Sequence, residues 1–97
     1  MQPAVEVEVV DLLIGEPAAQ GARGAIHEGS SIDSLRPHAG RSDGTLLTLS
    51  AGGRPGTFRV ELRKPGYRDW SRNGVTARGG DCGVRTTQVR AELQPAP

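Results

Sequence analysis

One alternating segment between two Pro-Gly turns constrains the fold of this chain more than any other feature. The turns are Pro55-Gly56 and Pro65-Gly66. Between them, Phe58, Val60 and Leu62 alternate with charged residues. This period of two is typical of a β-strand with one face in a core and the other in water. The segment therefore predicts a strand that is bounded by turns, in an all-β domain.

Turn-forming residues divide the rest of the chain into further short strands. We predict strands at residues 5–9, 22–27, 45–50, 58–62, 74–77 and 84–93. The strands at 45–50 and 58–62 are expected to form a hairpin-like pair, and Gly24 is expected to weaken the second strand. The inward-facing residues change parity between Val84 and Val89, which predicts a bulge near residues 87–88. No helical period of useful length is present, so we predict a single Greek-key β-sandwich of about seven short strands.

Four groups of turn-forming residues punctuate residues 28–44: Gly29-Ser30-Ser31, Arg36-Pro37, Ala39-Gly40 and Asp43-Gly44. This pattern predicts a long surface loop, which a short strand at residues 32–35 could interrupt. Loops of this length in compact domains are often functional. The segment is therefore the main candidate for a recognition role.

The chain has 97 residues and a net charge of +1, which predict one domain (1–97) with one core. Residues 1–50 hold three basic and seven acidic residues, whereas residues 51–97 hold nine and four. We interpret this asymmetry as pairing between the outer faces of neighbouring strands. The arginines are scattered and lack interleaved aromatic residues, so no nucleic-acid partner is predicted.

The longest run of large aliphatic residues is Leu12-Leu13-Ile14. A membrane-spanning helix needs about 20 apolar residues, so no membrane insertion is predicted. The start, Met1-Gln2-Pro3, lacks the features of a secretory signal, which leaves open an intracellular chain or a mature segment.

The three aromatic residues are Phe58, Tyr67 and Trp70, all within thirteen positions. We expect this region to form the centre of the core, with the rings of Tyr67 and Trp70 near it. Carbohydrate sites usually present exposed aromatic rings, so burial of these two would leave none for a glycan.

Few residues could carry chemistry, and no catalytic, cofactor or metal site is predicted. His27 and His38 lack a second ligand at metal spacing, and Asp33 beside His38 is a weak pair. Cys82 is the only cysteine, so it has no disulfide partner within the chain. Its sequence neighbours also include no histidine that could activate the thiol. The serines of the predicted loop lack a nucleophile-elbow motif; they are Ser30, Ser31, Ser34 and Ser42.

Motifs spread over nearly the whole chain resemble the carboxypeptidase regulatory-like domain. They are Val9-Val10-Asp11, Gly15-Glu16-Pro17-Ala18, Arg54-Pro55-Gly56-Thr57-Phe58, Lys64-Pro65-Gly66-Tyr67, Trp70, Gly74-Val75 and Cys82-Gly83-Val84. The resemblance implies a sandwich of the transthyretin (prealbumin) or immunoglobulin type. In bacteria such modules are often exported, which favours an exported or periplasmic location. Relatives often have a second cysteine near residues 20–22 and a histidine at the position of Gly83, so a thiol or metal role becomes less expected.

These observations together predict a non-catalytic accessory module with a structural or protein-interaction role. The partner would be another protein, or a second copy paired through an edge strand. The alternative is a glycan- or peptide-binding module that uses the loops at one end of the sandwich. A remote alternative is a transthyretin-like hydrolase, because residues 10–18 also resemble the opening strand and turn of those enzymes. The C-terminal Tyr-Arg-Gly-Ser tail of those enzymes is absent from this chain, which ends in Leu93-Gln94-Pro95-Ala96-Pro97.

Overall fold

The computed structural model describes residues 2–80 and 83–96. Ten strands are present: β1 (Val5–Asp11), β2 (Arg23–Glu28), β3 (Ser31–Ser34), β4 (Arg36–Pro37), β5 (Thr48–Ala51), β6 (Gly56–Arg63), β7 (Trp70–Ala77), β8 (Gly79–Gly80), β9 (Gly83–Val84) and β10 (Thr87–Leu93). Seven of them have four residues or more, and β4, β8 and β9 have two each. Within the described residues there is no helix, and hence none with the length and apolarity that crossing a membrane would require.

Two four-stranded sheets form the body of the molecule. The first has the order β10-β1-β5-β4 and the second the order β3-β2-β6-β7, while β8 and β9 form a separate ribbon. The chain crosses between the sheets after β1, β3, β5 and β7, which is typical of sandwich folds. β1 pairs with β10 in parallel and with β5 in antiparallel. The predicted all-β sandwich is confirmed.

The core lies between the two sheets and is built mainly from aliphatic residues. Phe58, Val60 and Leu62 of β6 are all buried, as the alternation predicts. Opposite them, the valines of β1 are equally inaccessible to solvent. Tyr67 and Trp70 are half-buried and pack against the edge of this core.

The predicted hairpin between the third and fourth strands is wrong. β5 lies in the first sheet, next to β1 and β4, whereas β6 lies in the second sheet between β2 and β7. The intervening residues cross from one sheet to the other, and they begin at Gly52, which has a φ of +85°. An Asp33 carboxylate oxygen accepts a hydrogen bond from the Gly52 N–H at 2.7 Å, which holds this crossing in place. Alternation defines the faces of a strand but not its neighbours.

Gly24 has a packing role in the second sheet that the sequence did not indicate. It stands opposite Leu62 in the pairing of β2 with β6. A Cβ atom at this position would collide with the backbone carbonyl of Glu61. The absence of a side chain is therefore what lets β2 and β6 approach each other.

Residues 28–44 are not one continuous loop. They contain β3, which is the short strand that the sequence allowed, and β4, which it did not predict. β2 and β3 form a hairpin through Gly29 and Ser30, and Gly29 has a φ of +58°. A glycine with positive φ at the first central position is typical of a type II′ turn. The chain then bends at Leu35, so that β3 edges one sheet and β4 edges the other.

Several strand boundaries also differ from the prediction, most of all in β5, β7 and the last strand. β5 begins at Thr48, three residues later than predicted. β7 begins at Trp70, four residues earlier than predicted. The parity change is observed, but it falls between two separate strands, β9 and β10, and not at a bulge within one.

Candidate functional site

The two histidines lie on different sheets. His27 of β2 places Nε2 at 2.9 Å from a carboxylate oxygen of Glu61 on β6. This imidazole holds the pKa of Glu61 below its ordinary value, although partial burial opposes the shift. His38, just after β4, lies beside Glu6 and Ser50 of the first sheet. The structure therefore does not bring the two imidazoles together in one site.

A Ser50, His38 and Glu6 arrangement was not identified from the sequence, because its members are 44 positions apart in the chain. The Ser50 hydroxyl lies 3.2 Å from His38 Nδ1, and His38 Nε2 lies 3.6 Å from Glu6. The second distance is too long for a hydrogen bond. Glu6 instead accepts hydrogen bonds from the Thr48 hydroxyl at 3.0 Å and from the Gln88 amide at 2.7 Å. These contacts describe a surface network that ties β1, β5 and β10 together.

The remaining residues considered from the sequence are also dispersed. The Asp33 carboxylate accepts from Gly52 N–H and the His38 ring faces Glu6, so these two do not share a site. Ser30 lies in the β2–β3 turn, Ser31 and Ser34 lie in β3, and Ser42 lies in a turn before β5. Across residues 2–80 and 83–96, no three His, Cys, Asp or Glu side chains form a group that could hold a metal ion. Cys82 lies outside the described residues.

The most unusual surface feature is an apolar turn formed by Leu12, Leu13 and Ile14. These side chains follow β1 directly and are 45%, 74% and 69% exposed. Three consecutive large aliphatic residues exposed together form a patch, unlike a single exposed leucine. The run is visible in the sequence, but its length there argues only against a membrane span.

Asp11 fixes the conformation of the apolar turn through hydrogen bonds, an arrangement that we call the brace. One carboxylate oxygen accepts hydrogen bonds from the N–H groups of Leu13 at 2.8 Å and Ile14 at 3.2 Å. The other accepts from the Tyr67 hydroxyl at 2.8 Å. The Asp11 carbonyl also accepts from Gly15 N–H at 2.9 Å. The turn is therefore held in one conformation, with its aliphatic side chains outward.

Lys64 is the third side chain of this brace, beside Asp11 and Tyr67. Its ammonium donates to the Ala18 carbonyl at 2.9 Å and lies 5.3 Å from the centre of the Tyr67 ring. The hydrogen bond from Tyr67 holds the pKa of Asp11 below its ordinary value, and the N–H groups of the turn act in the same direction. The same bond raises the pKa of Tyr67.

This brace predicts a specific pH dependence. The folded-state pKa of Asp11 is depressed below its unfolded value of about 3.9. The carboxylate therefore stabilises the fold above that pH, and the contribution is lost as the pH falls through the folded-state pKa. We expect Asp11→Asn to be less stable than the wild type at pH 7 and to lose less stability below about pH 4. Urea unfolding at both pH values measures this difference.

Asp69→Asn is the matched control, because this carboxylate is 73% exposed and its nearest partner, Arg63, is 3.7 Å away. We expect the control to follow the wild-type profile. If Asp11→Asn followed the wild-type profile as closely as the control does, Asp11 would not brace the turn.

A cleft opens at the other end of the sandwich, with a volume of about 400 Å³. This falls in the range of small-ligand sites, roughly 300–1,000 Å³. Ile26 and Phe58 supply apolar surface at the edge of the core, and Ile32 of β3 lies at the lip with 67% of its surface exposed. Charged residues complete the lining: Glu28, Asp33 and Arg54.

β3 beside this cleft is a free sheet edge. Leu35 N–H donates to the Gly24 carbonyl at 2.9 Å, and Ile32 stands opposite His27. Since bonded and non-bonded pairs alternate in an antiparallel ladder, the backbone groups of Ile32 and Ser34 point away from β2. Among the described residues, no other strand pairs with this edge.

Trp70 is the only aromatic ring lining a second, smaller cleft of about 280 Å³. The Arg72 guanidinium lies 5.3 Å from the Trp70 ring centre, so one face of the ring already has a cationic partner. Phe58 is buried. Neither ring therefore has both faces open for stacking.

Ion pairs connect the acidic first half to the basic second half. Arg90 of β10 lies 3.3 Å from Glu8 on the adjacent β1, as pairing between neighbouring strands would place them, whereas Arg59 and Arg63 pair with carboxylates of the second half. Arg54 Nη2 lies 3.8 Å from a Glu28 carboxylate oxygen, and the Arg54 side chain is 69% exposed at the cleft lip. Such exposed pairs contribute little stability, about 0–1 kcal/mol.

The chain matches no family model and no curated protein. A function for this chain is therefore proposed from the geometry described above and from the motif resemblance. Two surfaces stand out: the braced apolar turn at one end and the apolar cleft with its free edge strand at the other.

Proposed function

We propose that this chain is a non-catalytic accessory module of the carboxypeptidase regulatory-like type, and that it binds a protein partner through its apolar turn. The observation that carries the proposal is the exposure of Leu13 and Ile14 on a turn fixed by Asp11. The resemblance also implies that this module belongs to a bacterial exported or cell-envelope protein.

The energetics favour a binding role for this turn. Fully burying one aliphatic side chain is worth roughly 1.5–3 kcal/mol, and Leu13 and Ile14 leave most of that unrealised in the isolated chain. A flexible loop would lose conformational entropy on binding. The hydrogen bonds that the Asp11 carboxylate accepts from the turn hold it in place before binding, so less ordering is needed when a partner binds.

The motif residues support the resemblance through a shared structural task. Asp11 belongs to the first motif, and Lys64 and Tyr67 belong to the Lys-Pro-Gly-Tyr motif. Tyr67 contacts both of the others beside the turn. The motifs thus serve the presentation of a surface, which is what an interaction module requires.

A second candidate function is peptide binding at the cleft. The supporting observation is the free edge of β3, because an extended peptide could pair with Ile32 and Ser34. An apolar side chain of that peptide would then enter the cleft beside Phe58. This candidate uses the opposite end of the molecule from the apolar turn.

Site-specific photo-crosslinking tests the interaction role and identifies the partner in the same experiment. A benzophenone amino acid replaces Leu13, and in a matched control it replaces Asn73, an exposed residue on β7. After illumination in the cells that make the protein, mass spectrometry identifies the adducts.

We expect position 13 to give a dominant adduct with one protein and position 73 to give none. Asp11→Asn combined with the probe at position 13 should reduce that adduct, because the turn is no longer fixed. Equal and diffuse labelling from both positions would contradict an interaction role for the turn.

A further inference from the structure

We propose that this protein binds a small organic phosphate, in its doubly charged form, in a cleft beside the brace. This arginine cleft has a volume of about 580 Å³ and lies where β2 begins and β6 ends. Its lining residues are Gly21, Arg23, Arg63, Lys64, Pro65 and Asp69. The apolar turn lies outside this lining, so the inference goes beyond the interaction role proposed above.

The two arginines of this cleft stand directly opposite each other. Arg23 of β2 is the register partner of Arg63 of β6, so both side chains project from the same face of the sheet. The Cα atoms of such a pair are about 5 Å apart. Like charges placed directly opposite each other destabilise a sheet. An anion bound between the two guanidiniums would replace this repulsion with attraction to both.

Protein carboxylates offset little of this positive charge. Across residues 2–80 and 83–96, no carboxylate forms an ion pair with Arg23. Asp69 lies 3.7 Å from Arg63 Nε, which is too long for a hydrogen bond, and both side chains are 73% exposed. Lys64 has three N–H donors, of which one bonds the Ala18 carbonyl. The lining residues together carry a net charge of +2.

The charge of the arginine cleft favours a phosphate monoester over a carboxylate. A phosphate monoester carries a charge of about −1.5 to −2 at pH 7, which balances the lining, whereas a carboxylate carries a single negative charge. Guanidinium groups bind phosphate oxygens through pairs of parallel hydrogen bonds. The three terminal oxygens of a phosphate monoester can accept such bonds from Arg23 and Arg63 at the same time.

The size of the arginine cleft indicates an organic ligand. Its volume lies within the range of small-ligand sites, roughly 300–1,000 Å³. A phosphoryl group between the arginines leaves room for the organic group that carries it, and the exposed Pro65 ring supplies apolar surface there. The cleft at the other end does not suit this ligand, because its acidic lining residues outnumber Arg54.

Titration of isotope-labelled protein with two matched probes, followed by NMR, tests this site. Phenyl phosphate and phenyl sulfate have nearly the same shape, but at about pH 7.5 the phosphate is a dianion and the sulfate is a monoanion. Sodium chloride keeps the ionic strength constant, so that screening is the same at every probe concentration. Backbone amide chemical shifts report both the affinity and the location of binding.

Four variants assign the binding to the paired arginines. Arg23→Gln and Arg63→Gln each remove one positive charge at an exposed position. Arg23→Lys keeps the charge but loses the fork-shaped guanidinium. Arg36→Gln is the matched control, because Arg36 is exposed on β4 in the other sheet.

We expect phenyl phosphate to shift the amides of residues 21–24 and 62–64, with a Kd of about 1 mM or lower. Phenyl sulfate should bind at least about tenfold more weakly, and so should phenyl phosphate to Arg23→Gln or Arg63→Gln. Arg23→Lys should lose less affinity, and Arg36→Gln should bind like the wild type. Without ligand, Arg23→Gln should be at least as stable in urea as the wild type, because the repulsion is removed.

Several results would overturn the arginine cleft as a phosphate site. They are the absence of saturable shifts, unchanged binding in both arginine-to-glutamine variants, and equal weakening in Arg36→Gln, which would indicate attraction by overall charge only. Equal affinity for phenyl sulfate would overturn the preference for a dianion. Photo-crosslinking from position 13 tests the interaction role separately, so each proposal can fail without the other.

Discussion

Replacing Phe58 by alanine is expected to lower the free energy of unfolding by about 3–5 kcal/mol. Phe58 is the only phenylalanine, is 6% exposed, and lies on the inner face of β6. Its removal leaves a cavity between the sheets that the β-ladders on either side of β6 cannot easily close. A domain of this size has a total stability of about 5–15 kcal/mol, so the variant will be marginal.

Equilibrium unfolding in urea, followed by circular dichroism, measures this loss. Arg59→Ala is the matched control, because Arg59 is the next residue on the same strand and faces solvent. It should change stability by no more than about 0.5 kcal/mol. Phe58→Leu keeps an apolar side chain, and its free energy of unfolding should lie between those of Phe58→Ala and Arg59→Ala. This variant still tests the burial of Phe58 if Phe58→Ala does not fold. A loss below about 1 kcal/mol for Phe58→Ala would contradict the placement of β6 in the core.

Gly24→Ala is the second substitution with a large expected effect, about 3 kcal/mol. The added Cβ would collide with the Glu61 carbonyl, which is backbone and cannot rotate away as a side-chain end could. To relieve this collision, β2 would have to move away from its paired strand β6. The rest of the second sheet resists that movement because β3 and β7 are attached on either side.

Gly79→Ala is the control for the same chemical addition. The nearest atom to a Cβ at this position is Cγ of Pro55, at 3.3 Å, and that neighbour lies on a connection and not within a sheet. We expect a change within about 1 kcal/mol. Thermal unfolding of both variants decides the matter, and similar melting temperatures for Gly24→Ala and Gly79→Ala would contradict the close approach of β2 and β6.

The faces of the strands could be predicted from sequence because they depend on neighbouring residues only. The alternation at Phe58, Val60 and Leu62 and that at Val5, Val7 and Val9 both correspond to buried inner faces. The strand partners could not be predicted in this way. β1 pairs with β10 across more than 80 positions, and nothing in either strand alone specifies the other. The hairpin prediction for β5 and β6 failed for this reason, since proximity in the chain was the only available guide.

The same distinction applies to the surfaces proposed for binding. The apolar turn is local, and Asp11 directly before Leu12-Leu13-Ile14 is a sequence signal for a side-chain-capped turn. The contact of Tyr67 with Asp11 joins residues 56 positions apart and required the fold. The cleft is assembled from residues of β2, β3, β6 and the connection between β5 and β6, so no short motif could have indicated it.

The parallel pairing of β1 with β10 determines how this module would respond to mechanical tension. Val5 stands opposite Thr87 and Asp11 opposite Leu93, so the chain enters the sandwich at one end and leaves it at the other. A pull on polypeptide attached before β1 and after β10 would draw the two strands in opposite directions along their shared axis. All seven registered pairs would carry that load together in shear, whereas an antiparallel pair pulled at one end opens like a zip, bond by bond. The fold is thus suited to a position in line with a strained polypeptide.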